Sequence, residues 1–241
     1  MRAVTALLLA AMAVPAAAEP NDYDICLDLV ASDPARAEAE AAHWAEFTGS
    51  PAARHCHALA LVALGAERRG ARALADLGVE AGELPAEVRA AMLTHAAELW
   101  LGMGEAEAGL AAMEQSLRLV NDAAAHTLRA RLLAETGAWS RALGALDQAL
   151  GLAPPTAERA ALRAGAKRHL GRLTDARADA LWAVELDPAE PLAHLELGAA
   201  EAAMGRQTAA RKALLAAIEA DPQGPESAIA RARLQALETG G

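Results

Sequence analysis

Arg54-His55-Cys56-His57, with His43 and Cys26 not far off, is the cluster whose residue types could hold a metal or haem. Zinc sites ordinarily pair Cys or His at CxxC or HxxxH spacing. His55 and His57 are two apart, so on a helix they point to different faces. There is no CxxCH to attach haem. His95, His126, His169 and His194 stand singly along the rest of the chain. The expectation is no metal site and no cofactor, with a metal or haem handling protein as the alternative.

A second group is the basic run Arg159, Arg163, Lys167, Arg168, Arg172 and Arg177, which could bind an anion. Nucleophilic and phosphate chemistry have no comparable candidates. The sequence has no Gly-x-Ser-x-Gly, no His-Glu-x-x-His and no phosphate-cradling Gly/Lys loop. Its lysines are Lys167 and Lys212 alone. Acidic pairs such as Glu105 and Glu107 sit at helix starts, where they favour the dipole. The expectation is a non-enzymatic protein; a regulatory subunit of an exported enzyme is the rival.

The ends and the charge narrow the setting. Met1-Arg2 precedes an apolar run, Ala3 to Val14, and Pro15-Ala16-Ala17-Ala18 supplies small residues before Glu19. That pattern predicts a signal peptide over 1–18, cleaved after Ala18, and hence an exported protein. The alanine- and arginine-rich composition resembles that of bacteria in which the compartment would be the periplasm. The run is shorter than the ~20 residues that span a bilayer, and no later stretch is apolar for long enough. Net charge is −10, which argues against nucleic acid, whose affinity comes from neutralised phosphates, and against anionic membrane surfaces. The two cysteines, Cys26 and Cys56, are predicted to pair, because disulfides persist in exported proteins.

The elements that would position these residues follow a period. Gly137, Gly171 and Gly205 are 34 apart, as are Pro154, Pro188 and Pro222. Ala142 and Ala149, Ala176 and Ala183, and Ala210 and Ala217 keep the same register. Glycine mid-repeat and proline at the end, at this period, mark a helix–turn–helix array. The three clearest repeats begin near Ala123, Ala157 and Pro191. Two more degenerate ones begin near Ala90 (with Trp100, Gly104, Gly109 and Ser116) and Pro51 (with Ala58, Gly65 and Gly70).

This pattern resembles the tetratricopeptide family over roughly residues 51–222. The resemblance implies an all-α, right-handed superhelical array of about five helix–turn–helix repeats. Residues 19–50 would form an N-terminal helical pair, Asp22 to Ser32 and Pro34 to Thr48, and 223–241 a C-terminal capping helix and tail. Asp33-Pro34 and Ser50-Pro51 read as N-cap followed by proline at the first helical position. Small residues at Ala130, Ala164 and Gly198 let helices approach, and Leu146, Leu181 and Leu214 fill the gaps. The stretch Gly78 to Pro85 exceeds an ordinary turn and predicts a bend or loosening. The family's usual aromatic positions hold only Trp100 and Trp139, expected in the core.

Family analogy also places a concave groove on the first helix of each repeat. Its expected peptide-binding positions are Thr94, Glu98, Thr127, Arg131, Glu158 and Arg168, with Glu135 beside them and an apolar end at Leu192 and Leu195. That end either meets a partner or is covered by the closing helix. Arg163 and Asp179 fall where some members carry an ion pair across the two helices, so a structural pair is expected. The Lys/Asn clamp by which some members hold a C-terminal carboxylate has no counterpart here. A protein or peptide partner is implied, in envelope assembly or cytochrome maturation by analogy.

Overall fold

The computed structural model describes residues 22–239, so the predicted leader lies outside the described residues. These residues form thirteen α-helices. The first pair is α1 (Asp22–Ser32) and α2 (Pro34–Thr48). Five pairs follow: α3 (Pro51–Ala63) with α4 (Glu67–Glu80), α5 (Ala86–Gly102) with α6 (Ala106–Leu119), α7 (Ala123–Glu135) with α8 (Trp139–Leu152), α9 (Ala157–His169) with α10 (Leu173–Leu186), and α11 (Pro191–Ala203) with α12 (Gln207–Ala220). A closing helix, α13 (Pro225–Thr239), ends the array. The fold is an all-α, right-handed superhelical stack of helix–turn–helix repeats.

Each of the five later pairs turns on one glycine. Gly65, Gly104, Gly137, Gly171 and Gly205 have φ between 71° and 76°, a left-handed conformation that glycine adopts without steric cost. Around Gly137 the N–H of Ala138 reaches back to the Leu133 carbonyl at 2.9 Å, and that of Gly137 to Ala134 at 2.9 Å. These bonds satisfy carbonyls that the end of α7 leaves open. At the opposite ends, the Asp33, Asp122 and Thr156 side chains accept N–H bonds from Arg36, Ala125 and Arg159. Ser50 does not cap α3 with its side chain; its own N–H is instead taken by the Thr48 hydroxyl at 3.1 Å.

Small residues set the helix spacing. Ala130, Ala142, Ala149, Ala164, Ala176, Ala183, Ala210 and Ala217 are each no more than 1% exposed. Leu146 and Leu214 are fully buried beside them, as expected. Leu181 is only half-buried, and in its repeat Trp182 packs against Ala160, Ala161 and Ala193 instead. Trp100 lies in the core with Leu74 and Ala96. Trp139 is half-buried, its ring stacked on the exposed His169 with centroids 3.8 Å apart.

Curvature follows from which helices touch. The first helices pack on one another from repeat to repeat, α5 on α7, α7 on α9, α9 on α11 and α11 on α13. The second helices make no comparable contacts with one another. Closer spacing on one side bends the stack, so the first helices line its concave face.

The junction after α4 departs from this rule. Helix α4 continues through Gly78 to Glu80, and α3 and α5 have no contact like that of later first helices. The outer side of the junction is tight. A Cβ on Gly78 would sit 2.7 Å from Leu93 Cγ, so only glycine allows α5 this close. Arg89 then caps α4, its Nε donating to the Gly78 carbonyl and its Nη2 to that of Val79, both at 2.9 Å.

Candidate functional site

The concave face holds an open cleft of about 600 Å³ built from three successive first helices. From α5 come Glu98, Leu101 and Gly102, from α7 Arg131, Ala134 and Glu135, and from α9 Leu162. Leu101, Ala134 and Leu162 give it an apolar floor. Glu98, Arg131 and Glu135 are exposed, and none forms an ion pair among the described residues. A neighbouring depression of about 590 Å³ shares Glu135 and continues over Gly104, Glu107 and Thr136. The cleft therefore offers two carboxylates, one guanidinium and an apolar floor to a ligand lying across α5, α7 and α9.

The eight groove residues expected from the sequence divide. Glu98 and Arg131 meet in this cleft, and Glu158 is exposed at the start of α9 without an ion pair. Thr94 Oγ1 is turned to Ser116 Oγ at 3.0 Å, inside its own repeat. Thr127 is buried; its hydroxyl donates to the Ala123 carbonyl at 2.7 Å and accepts from Arg159 Nε at 3.2 Å. Arg168 is half-buried and donates through Nε and Nη2 to both Glu196 oxygens, at 2.9 and 3.3 Å. Leu195 is 3% exposed, packed with Leu214, Ala217 and Ala230, and Leu192 lies against the same cluster. The closing helix thus covers the apolar end.

Every residue of the basic run has a partner within the protein. Arg163 donates to both oxygens of the buried Asp179 at 2.7 and 2.9 Å, and Lys167 Nζ reaches Asp179 at 2.6 Å. Arg172 pairs with Asp175 and Arg177 with Glu201, while Arg159 is held by Thr127 and the Pro154 carbonyl. With Arg168 on Glu196, no residue of the run stands unpaired, and only the Arg172–Asp175 pair is on the open surface.

Cys26 and Cys56 are joined by a disulfide with Cα atoms 6.3 Å apart, tying α1 to α3. Tyr23 and His55 flank it, the hydroxyl 2.6 Å from Nδ1, and His57 Nε2 lies 3.4 Å from Glu38. Among the described residues no three His, Cys, Asp or Glu side chains converge as metal ligands would. No helix among them is long and apolar enough to cross a membrane.

No protein-family model matches the chain, and no curated protein aligns with it. Solved structures do. YrrB, a TPR protein with an unusual peptide-binding site, superposes with a TM-score of 0.58 at 17% identity, covering 79% of this chain and 97% of YrrB. TTC0263, a thermophilic TPR protein in Thermus thermophilus, gives 0.58 at 18% identity over 78% and 98%. MamA from Desulfovibrio magneticus RS-1 gives 0.58 at 18% identity over 70% and 93%. The likeness is one of fold: this chain has the tetratricopeptide-repeat architecture.

Proposed function

We propose that the protein is a non-enzymatic scaffold of the bacterial periplasm that binds a protein or peptide segment along its concave face. One observation carries this reading. Glu98, Arg131 and Glu135 stand exposed and without ion pairs among the described residues, around one apolar-floored cleft spanning three repeats. Exposed, uncompensated charge over apolar surface suits a segment of mixed charge that inserts an apolar side chain. The architecture of YrrB, which has a peptide-binding site, supports the same use of the fold. The leader motif and the paired cysteines support the periplasmic setting.

The test is affinity capture by residues 19–241 from an envelope extract, beside Arg131→Glu and Glu98→Lys. Both residues are exposed and unpaired, so both variants should fold. The expected result is one partner held by the native chain and lost with either variant. Equal capture by all three proteins would contradict a cleft-mediated function. Arg168 is unsuited to this test, because Arg168→Glu would set a carboxylate against Glu196.

A further inference from the structure

The slot between one repeat's second helix and both helices of the next is filled in one repeat and left open in the following one. In the earlier slot Arg163 on α9 reaches Asp147 on α8 at 3.2 Å and Asp179 on α10. Its guanidinium also lies 5.6 Å from the Trp182 ring centroid. Thirty-four residues later the same register positions carry Leu197 for Arg163, Ala213 for Asp179 and Ala216 for Trp182. Guanidinium, carboxylate and indole are all gone. What remains is a cavity of about 350 Å³ between α10, α11 and α12.

Its walls are mainly apolar, from Val184, Leu197, Ala209, Ala213 and Ala216. Two of its polar groups are already engaged. Glu201 takes Arg177 at 2.6 Å and Arg206 at 3.4 Å, and His194 Nε2 donates to the Pro188 carbonyl at 2.8 Å. The third, Lys212, has no ion pair among the described residues and is exposed. It also lines a second depression along α12, beside Leu215, which is 45% exposed.

We propose that this slot on the outer side of the array docks an aromatic side chain from a protein segment whose adjacent carboxylate pairs with Lys212. The missing Trp182 counterpart sets the size and apolar character of the anchor. Lys212, an uncompensated cation in a chain of net charge −10, sets the sign of its neighbour. Aromatic anchors in desolvated pockets, with charged contacts at the rim, are the usual centre of such interfaces. The site is separate from the concave cleft and does not depend on it.

The probe is acetyl-Trp-Glu-Leu-amide, titrated into isotope-labelled residues 19–241 and followed by amide shifts. Shifts should centre on Leu197, Ala209, Ala213 and Ala216, and disappear when alanine replaces the probe's tryptophan. Binding should weaken at least fivefold in Lys212→Glu, an exposed change that spares the fold. In Ala216→Trp, which restores the earlier repeat's indole, the shifts should vanish; if that variant does not fold, Lys212→Glu and the alanine probe decide alone. The proposal is overturned if no shifts arise there at millimolar probe, or if they survive in folded Ala216→Trp. It is also overturned if the native chain dimerises and Ala216→Trp dissolves the dimer, because the occupant is then a second copy.

Discussion

Arg163 on α9 and Asp179 on α10 face each other through two hydrogen bonds, Nε to Oδ2 at 2.7 Å and Nη2 to Oδ1 at 2.9 Å. Lys167 closes the same carboxylate at 2.6 Å, and Asp179 is only 6% exposed. One acid therefore contacts two cations between two helices. Asp179→Ala leaves both cations without it, with only Asp147 beside Arg163. Removing one partner of a buried pair costs about 3–5 kcal/mol, and the Asp147 contact places this loss near 3 kcal/mol. Urea denaturation of the variant checks it; a loss under about 1 kcal/mol would show that the pair does not hold the repeat.

The disulfide should contribute by constraining the unfolded chain. For its separation of 30 residues, loop-closure entropy gives roughly 3–4 kcal/mol. Cys26→Ser with Cys56→Ser should lose that amount in denaturant. Both sulfurs belong to residues no more than 5% exposed, so thiol labelling under mild reductant should stay slow until the N-terminal helices open. Rapid labelling of the native protein would contradict this.

Two glycine substitutions in one repeat should act in opposite directions. Gly137, at φ 71°, becomes strained as alanine, costing about 1–2 kcal/mol. Gly144 lies inside α8 with open space where a Cβ would go, so Gly144→Ala should raise stability by about 0.5–1 kcal/mol. Thermal melts of the pair test the repeat geometry, and a shared sign would count against it.

Acidification should weaken the fold. Burial holds the imidazoles of His55 and His126 below their ordinary value, with help from His95 and Arg129, and the partial desolvation of the exposed His169, beside Arg168, lowers its imidazole too. The unfolded chain then binds protons more readily than the folded one between the folded values and about 6.5. Stability is full above roughly pH 7 and falls as pH drops through 6.5 toward the folded values. The urea midpoint should be lower at pH 5.5 than at pH 8, and part of the difference should vanish in His126→Gln. Equal midpoints would contradict the burial argument.

The repeat boundaries were legible because glycine and proline act locally. Gly137, Gly171 and Gly205 announce their turns, and α7, α9 and α11 begin at Ala123, Ala157 and Pro191. The fate of charged side chains was less legible. Arg163–Asp179 could be placed by register, but Arg168–Glu196 joins successive repeats across 28 residues, a pairing that register within one repeat does not reveal. Thr127 and Leu195 occupy groove positions by count yet are buried, because Arg159 and α13 cover them. The cleft floor residues Leu101 and Ala134 look like core leucine and alanine in sequence. Their signal was position alone, the twelfth of each repeat counted from Ala90 and Ala123. The loosening expected between Gly78 and Pro85 missed Arg89, whose side chain caps α4 from the next helix.

The most direct test of the central claim is photocrosslinking from inside the cleft. Gly102 is exposed there, and a Cβ built on it meets nothing within 4 Å. A benzophenone amino acid at 102, and as a control at the equally open position 144 on α8, would be irradiated in whole cells. A discrete adduct from position 102 alone, abolished by Arg131→Glu, is the predicted result. The same adducts from both positions, or none from 102, would contradict recognition in the concave cleft.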